Sequence, residues 1–304
     1  MTGETENLAT LRDFIRWGMS RFNEAGLFFG HGTDNAHDEA VALVLHALHL
    51  PADLPTTYLD AVLTTTEREQ VLGLLSERVE KRLPAAYLTH EAIFAGYSFY
   101  VNEHVLIPRS PIAELIGSAF EPWVQADAVD RVLDLCTGSA CIAIACAHCF
   151  EGASVDAVDI SADALDVASI NVQRHEMGEQ VEPILSDLFS ALKGRRYDLI
   201  VSNPPYVSEE EMEQLPDEYL REPALGLKAG HDGLDIVARI LRQASDYLEP
   251  NGVLIVEVGN SMEALAARYP QVPFLWLDFE HGGHGVFLLT AEQLSEFQTE
   301  FEEG

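Results

Sequence analysis

From residue 130 the sequence repeats one pattern, a short apolar run followed by a stretch of helical periodicity. The runs fall at 131–136, 155–159, 183–186, 198–202 and 253–258, the third being the weakest. Runs this short, separated by helices, predict strands of a parallel sheet covered on both faces. The series closes differently. Two β-forming stretches, 273–279 and 286–289, flank Gly282-Gly283-His284-Gly285 and predict an antiparallel hairpin at the sheet edge. The expected fold class is α/β, a doubly wound sheet.

Before residue 85 the period is helical throughout. Leu11, Phe14, Ile15, Met19 and Phe22 share one face, and Gly26 ends that run. Asp38 opens a second helix through Val41, Val44, Leu45 and Leu48, with Pro51 as its stop. Thr66 and Glu69 read as the capping box of a third helix carrying Val71, Leu74, Leu75 and Val79, and Pro84 closes the bundle. Residues 92–107 alternate with period two (Phe94, Tyr97, Phe99, Val101, Val105, Ile107) around Gly96 and Asn102-Glu103, which predicts a β-hairpin. The expected organisation is a helical recognition or docking domain over 1–85, a linking hairpin over 86–110 and the sheet domain over 111–304. The acidic end, Glu302-Glu303-Gly304, is expected to fray.

Apolar residues make up 47% of the 304 and charged residues 22%, which suits an ordinary globular protein with a sizeable core and excludes disorder or a disulfide-stapled mini-fold. Charge is the unusual feature: 18 Lys and Arg against 50 Asp and Glu leave −32. Such a surface repels phosphate, so sequence-specific nucleic-acid binding is not expected, and a basic partner is favoured. No apolar run reaches the roughly 18 residues of a membrane span, and the first ten residues lack a basic signal region. Cys136, Cys141, Cys146 and Cys149 crowd into one stretch. The C-x-x-C of Cys146 and Cys149 lacks a second ligand pair at zinc-finger spacing, so buried thiols in a small-residue helix are the reading, no metal is expected, and the chain is placed in the cytoplasm.

The first strand empties through Asp134-Leu135-Cys136-Thr137-Gly138-Ser139-Ala140-Cys141 into a small-residue helix, the place where nucleotide-like ligands bind in such sheets. Asp159 ends the second strand at the spacing of a ribose-binding carboxylate. After the third strand, Asp187 and Leu188 offer an acceptor and an apolar contact for a purine. G-x-G-x-x-G and the ATP loop are both absent, so a nucleoside without phosphates suits the loop, and S-adenosylmethionine is the common one. The candidate cofactor residues are Asp134, Cys136, Thr137, Gly138, Ser139, Ala140, Asp159, Asp187, Leu188 and Asn203.

The fourth strand empties into Asn203-Pro204-Pro205-Tyr206 at the same sheet edge. A planar amide nitrogen, or the exocyclic amine of a base, has a delocalised lone pair and is a poor nucleophile. Orientation helps it. The Asn203 side-chain oxygen and the Pro204 carbonyl can each accept one N–H of an NH₂ group and aim the nitrogen at an electrophilic methyl. Both prolines fix φ, Pro205 has no N–H, and Tyr206 can stack on the planar group.

These segments, with Val158 to Ser161, Leu106 to Pro111, Gly30 to Asn35 and Glu222 through Leu234, resemble the protein-glutamine N5-methyltransferases over nearly the whole chain. The likeness is greater to the branch acting on a large-subunit ribosomal protein, ribosomal protein L-three. The release-factor branch continues Pro-Arg with Pro-Glu-Thr-Glu, whereas Pro108-Arg109 here precedes Ser110-Pro111-Ile112-Ala113-Glu114. The resemblance implies a Rossmann-like class I methyltransferase fold using S-adenosylmethionine. It implies that Asp159 holds the ribose, that Asp187 and Leu188 flank the adenine, that Asn203 to Tyr206 hold the substrate glutamine and that Arg109 lies close by. One position departs: the family has glycine where this chain has Ala140, and a left-handed alanine there would cost on the order of 1 kcal/mol.

Asn-Pro-Pro-Tyr is shared with adenine N6-methyltransferases, so a release-factor enzyme, an adenine methyltransferase and a non-catalytic ribosome assembly factor stay open at this point. A basic ribosomal protein fits the charge of −32 better than DNA does. The turn-rich segment from Val207 to Asp235 is expected to form a substrate loop or lid.

Overall fold

The structure, a computed structural model, describes residue 3 and residues 5–303. The chain divides into two compact units, Met1–Glu91 with Pro216–Arg221, and Ala92–Leu215 with Glu222–Gly304.

The first unit is built on α1 (Leu11–Glu24), α2 (Ala36–Ala47), α3 (Thr65–Lys81) and α4 (Ala85–Thr89). Phe14, Phe22, Leu43, Val71 and Leu75 fill its core. Local caps move the expected boundaries. Helix α2 begins before Asp38 because the Asn35 side chain accepts the Asp38 N–H at 3.0 Å. The capping box of α3 is Thr64 with Glu67, the same spacing two residues upstream of the expected pair. Pro84 opens α4 rather than ending the bundle.

The segment Pro216–Arg221 joins this unit through charge. Glu218 is fully buried, where Arg78 reaches it at 3.4 Å and Arg82 at 3.1 Å, and it accepts the Phe28 N–H at 3.2 Å. Arg78 also donates to Glu39 at 2.6 Å. A buried charge is tolerated only when paired and hydrogen-bonded, and here Glu39 pairs with Arg78 and Glu218 with both Arg78 and Arg82. Tyr219 lies against His31, with ring centres 4.5 Å apart, so the Gly30–Asn35 stretch serves here to seat the loop segment.

The second unit opens with β1 (Ala92–Phe94) and β2 (Tyr97–Phe99), joined by Ala95 and Gly96 with φ of 48° and 82°, as a two-residue hairpin turn requires. The expected hairpin stops there. Val105 turns back on the Asn102 carbonyl at 3.2 Å, and the Ile107 N–H goes to the Glu222 carboxylate at 3.0 Å, so neither joins a strand, although both side chains are buried. Then come α5 (Ile112–Gly117), β3 (Arg131–Leu135), α6 (Cys141–Cys149), β4 (Ser154–Asp159), α7 (Ala162–Arg174), β5 (Val181–Leu185) and β6 (Tyr197–Ser202). The chain continues through α8 (Glu209–Met212), α9 (Asp235–Tyr247), β7 (Leu248–Glu257), α10 (Met262–Arg268), β8 (Leu275–Trp276), β9 (Val286–Thr290), α11 (Ala291–Glu296) and α12 (Gln298–Glu303).

Seven strands form one sheet in the order β5-β4-β3-β6-β7-β9-β8, parallel from β5 to β7 and antiparallel at β9. The third apolar run is weak because β5 is the edge strand: it carries Pro183 and leaves Leu185 exposed. The closing hairpin is threaded, since β9 lies between β7 and β8. Helix α6 covers one face with Ile142, Ile144 and Cys146, and α9 covers the other with Val237, Ile240 and Leu241. The terminal segment does not fray as expected: Phe301 is buried and packs edge-on against Tyr269, which holds α12 in place, and Gly304 lies outside the described residues.

Strand order places the site. The chain winds outward from β3 and then returns to β6 beside it, which opens a crevice at the carboxyl ends of these two strands. Leu135 pairs with Ser202 and with Val158, and Ser202 pairs with Val256. The segments after β3, β4 and β6, and Glu257 at the end of β7, therefore stand level.

Candidate active site

A cavity in the sheet unit is lined by Cys136, Thr137, Gly138, Ser139, Asp159, Asp187, Leu188 and Asn203, with Arg109 and Pro205. Asp134, Ala140, Pro204 and Tyr206, also expected at the site, do not line it.

Behind the wall, the buried Asp134 accepts the Thr137 hydroxyl at 2.5 Å and the Ala143 N–H at 3.1 Å through the same oxygen. Its other oxygen has no hydrogen-bond partner, and burial pushes the carboxyl up to about 7, the neighbouring Asp159 charge adding to this. The loop above it uses left-handed backbone at Cys136, Gly138 and Ala140, with φ of 60°, 54° and 62°. Alanine at the last of these carries about 1 kcal/mol of strain that glycine would not. Asn171 of α7 steadies the loop: its amide donates to the Ser139 carbonyl at 2.9 Å and to the Tyr100 carbonyl at 3.0 Å. Sequence reading missed it, although a polar residue on the buried face of α7, beside Val167, Ala168 and Val172, is the kind of signal that could have found it.

Asp159 accepts the Gly138 N–H at 2.9 Å on one oxygen and the Ser161 N–H at 2.9 Å on the other. Burial raises its pKa and these N–H groups oppose the rise. Asp187 meets Arg239 of α9 at 2.8 Å, a half-exposed pair that no sequence pattern announced. Leu188 is buried with φ of 48°, and its carbonyl accepts the Ser186 hydroxyl at 2.7 Å.

On the opposite side, Asn203 makes no protein hydrogen bond through its side chain, and the Pro204 carbonyl accepts none, among the described residues. Tyr206 is placed otherwise than expected. Its hydroxyl donates to Glu257 at 2.9 Å, and its carbonyl accepts the Ser261 hydroxyl at 2.9 Å. Arg109 forms a two-pronged pair with Glu222, 2.7 Å at each prong, and Glu222 is buried. Glu222 and Glu257 were missed as partners, because each acts on a residue more than fifty positions away.

The cysteines are free thiols. Burial pushes Cys141 up to about 12 and raises the other three as well, so they stay protonated and unreactive. No helix among the described residues is long and apolar enough to cross a membrane.

A doubly wound sheet in this order, with a carboxylate closing its second parallel strand and Asn-Pro-Pro-Tyr leaving the strand beside its first, defines a Rossmann-like class I methyltransferase. The profile of the methyltransferase small domain matches residues 118–230. The ribosomal protein uL3 glutamine methyltransferase of Neisseria meningitidis serogroup B is 54% identical over 290 residues, 95% of each chain. That of Neisseria gonorrhoeae is 53% identical over 290 residues, 95% of this chain and 97% of the relative. The chain belongs to this family of protein glutamine methyltransferases. Among solved structures, the human methyltransferase 10 domain containing protein is 19% identical with a TM-score of 0.47, covering 64% of this chain and 89% of that one.

Proposed function

We propose that this chain transfers a methyl group from S-adenosylmethionine to the side-chain amide nitrogen of a glutamine in ribosomal protein uL3, the protein called L-three above. The observation that carries the reading is the Asn203 side chain, which lines the cavity without a protein hydrogen bond, followed directly by the Pro204 carbonyl, which accepts none among the described residues. A carboxamide NH₂ has two N–H donors, and these two oxygens match them. Bonding both N–H groups fixes the nitrogen and favours the pyramidal geometry that it adopts as the new bond forms. As the nitrogen bonds the methyl carbon, the bond from that carbon to sulfur breaks and leaves a neutral thioether, and the nitrogen gives up one proton to water.

The residues on the cofactor side suit a phosphate-free nucleoside. The Asp159 oxygens retain lone pairs for ribose hydroxyls, and Leu188 and Ile160 offer apolar surface to a purine. Bound S-adenosylmethionine supplies an activated methyl on a positively charged sulfur. The net charge of −32 favours encounter with a strongly basic ribosomal protein in the cytoplasm, and the helical N-terminal part serves as its docking surface.

The test is mass spectrometry of uL3 after incubation with enzyme and labelled cofactor. A gain of one methyl on glutamine, abolished by Asn203→Ala, is the expected result. Methylation of a release factor or of an adenine oligonucleotide, with none on uL3, would replace this reading. Cofactor binding without transfer to any of the three would indicate a binding protein.

A further inference from the structure

Glu257 ends β7 level with Asn203, yet it does not line the cavity and it is buried. A buried carboxylate needs hydrogen-bond donors, and its two come from distant parts of the chain. One oxygen accepts the Tyr206 hydroxyl at 2.9 Å, and the other accepts the Ser110 hydroxyl at 2.5 Å. Ser110 in turn accepts the Ile112 N–H at 3.1 Å, so its hydroxyl proton is committed to Glu257.

Tyr206 is also held at one edge of its ring and at its backbone carbonyl. Its ring lies against Gly259, where an added Cβ would come within 2.6 Å of a ring carbon. Its carbonyl is held by Ser261 and stands where a Cβ on Gly233 would collide with it. The ring is therefore an anchor, and the residues that face the cavity, Asn203 and Pro205, precede it in the same turn. Ser110 lies next to Arg109, which does line the cavity and is fixed by Glu222.

We propose that Glu257 is the positioning residue of the acceptor half of the site. By taking one hydroxyl on each oxygen, it fastens the Asn-Pro-Pro-Tyr turn to the Pro108–Pro111 segment, so that the two acceptors of the turn are pre-aimed before a substrate amide arrives. This rests on the methyl-transfer reading above. A near-isosteric Glu257→Gln keeps the volume but offers one acceptor oxygen instead of two, so one of the two hydroxyls loses the acceptor for its proton.

The experiment compares Glu257→Gln, Tyr206→Phe, Ser110→Ala and the double variant Glu257→Gln/Tyr206→Phe in the full-length enzyme, using uL3 as substrate. Misplacing a reacting group by a fraction of an ångström to one ångström lowers turnover by about 10- to 100-fold, and a fall of that order in kcat is expected for Glu257→Gln. Cofactor affinity measured by calorimetry should stay within about threefold of the wild type, because the Asp159 side of the cavity does not touch Glu257. The double variant should be no worse than the poorer single one, as for two residues in one link. Ser110→Ala and Tyr206→Phe test the same link should Glu257→Gln fail to fold. Hydrogen exchange of the backbone over 203–212 and 107–118 is read in parallel, with faster exchange expected there and none at 136–140. The exchange readout stands even if uL3 is not the substrate, so failure of the functional reading is told apart from failure of this one. Unchanged kcat and exchange in Glu257→Gln would overturn the proposal, as would additive losses in the double variant or an equal loss of cofactor affinity.

Discussion

The two sides of the cavity are held by carboxylates that work at different ranges. Asp134 and Asp159 bond hydroxyl and backbone N–H groups no more than 21 residues away, all within one strand–helix–strand passage. Glu222 and Glu257 bond side chains 113 and 147 residues away. The cofactor side is thus a local product of the loop after β3 and the end of β4. The acceptor side exists only when β6, β7 and the Pro108–Pro111 segment have come together. The contrast teaches that nucleoside binding and substrate positioning can be damaged separately.

The largest expected effect falls on the acceptor side. Asn203→Ala removes one of the two oxygens that orient the amide and should lower turnover by about 10²- to 10³-fold, with calorimetric cofactor affinity unchanged. A parallel loss of affinity would show that the two sides are not separable at this residue. Next comes Glu222→Ala, which removes the buried carboxylate that binds both the Arg109 guanidinium and the Ile107 N–H. Urea unfolding should show about 3 kcal/mol of lost stability. On the cofactor side, Asp159→Ala should act mainly on binding, with roughly tenfold weaker cofactor affinity and a smaller change in the unfolding midpoint.

Two smaller effects sharpen the cofactor side. The Asp134 carboxyl titrates near 3.8 when exposed and near 7 when folded, so the native state keeps a proton that the unfolded chain releases. Stability from this group is complete below about pH 4 and is lost as pH rises to about 7. Asp134→Asn cannot release that proton, so its stability relative to wild type should climb between these pH values and level off above them. A flat difference across urea titrations at several pH values would contradict the burial argument. Ala140→Gly relieves left-handed strain of about 1 kcal/mol, partly offset by the freedom that glycine gains when unfolded. A small rise in melting temperature and modestly tighter cofactor binding are the expected results, and equal affinity would make the position indifferent.

The same difference in range decides what could be read in advance. Strands β3, β4, β6 and β7, the loop from Asp134 to Cys141, Asp159 and the Asn-Pro-Pro-Tyr turn are written in consecutive residues, and strand ends converge on one edge by the winding of the sheet. Whole-chain likeness to glutamine methyltransferases then narrowed the chemistry. The partners of Arg109 and Tyr206 were not readable, because Glu222 and Glu257 sit in segments whose local pattern says only loop and strand. Tyr206 shows the consequence: from sequence its ring is a natural stacking face, whereas Glu257 and Gly259 hold it behind the wall. The caps of α2 and α3 were missed for a simpler reason, since two Ser/Thr/Asn-type starts compete within a few residues and only the backbone decides between them.

The threading of β9 between β7 and β8 orders events during synthesis. Residues 286–290 leave the ribosome after the other six strands of this sheet, and until then β7, the strand that ends in Glu257, has one unpaired flank. A nascent chain can therefore shape its nucleoside loop early, while Glu257, the anchor of Tyr206, sits on a strand that gains its second neighbour only with β9. Stalled or truncated products lacking that strand would be expected to capture cofactor better than they turn it over.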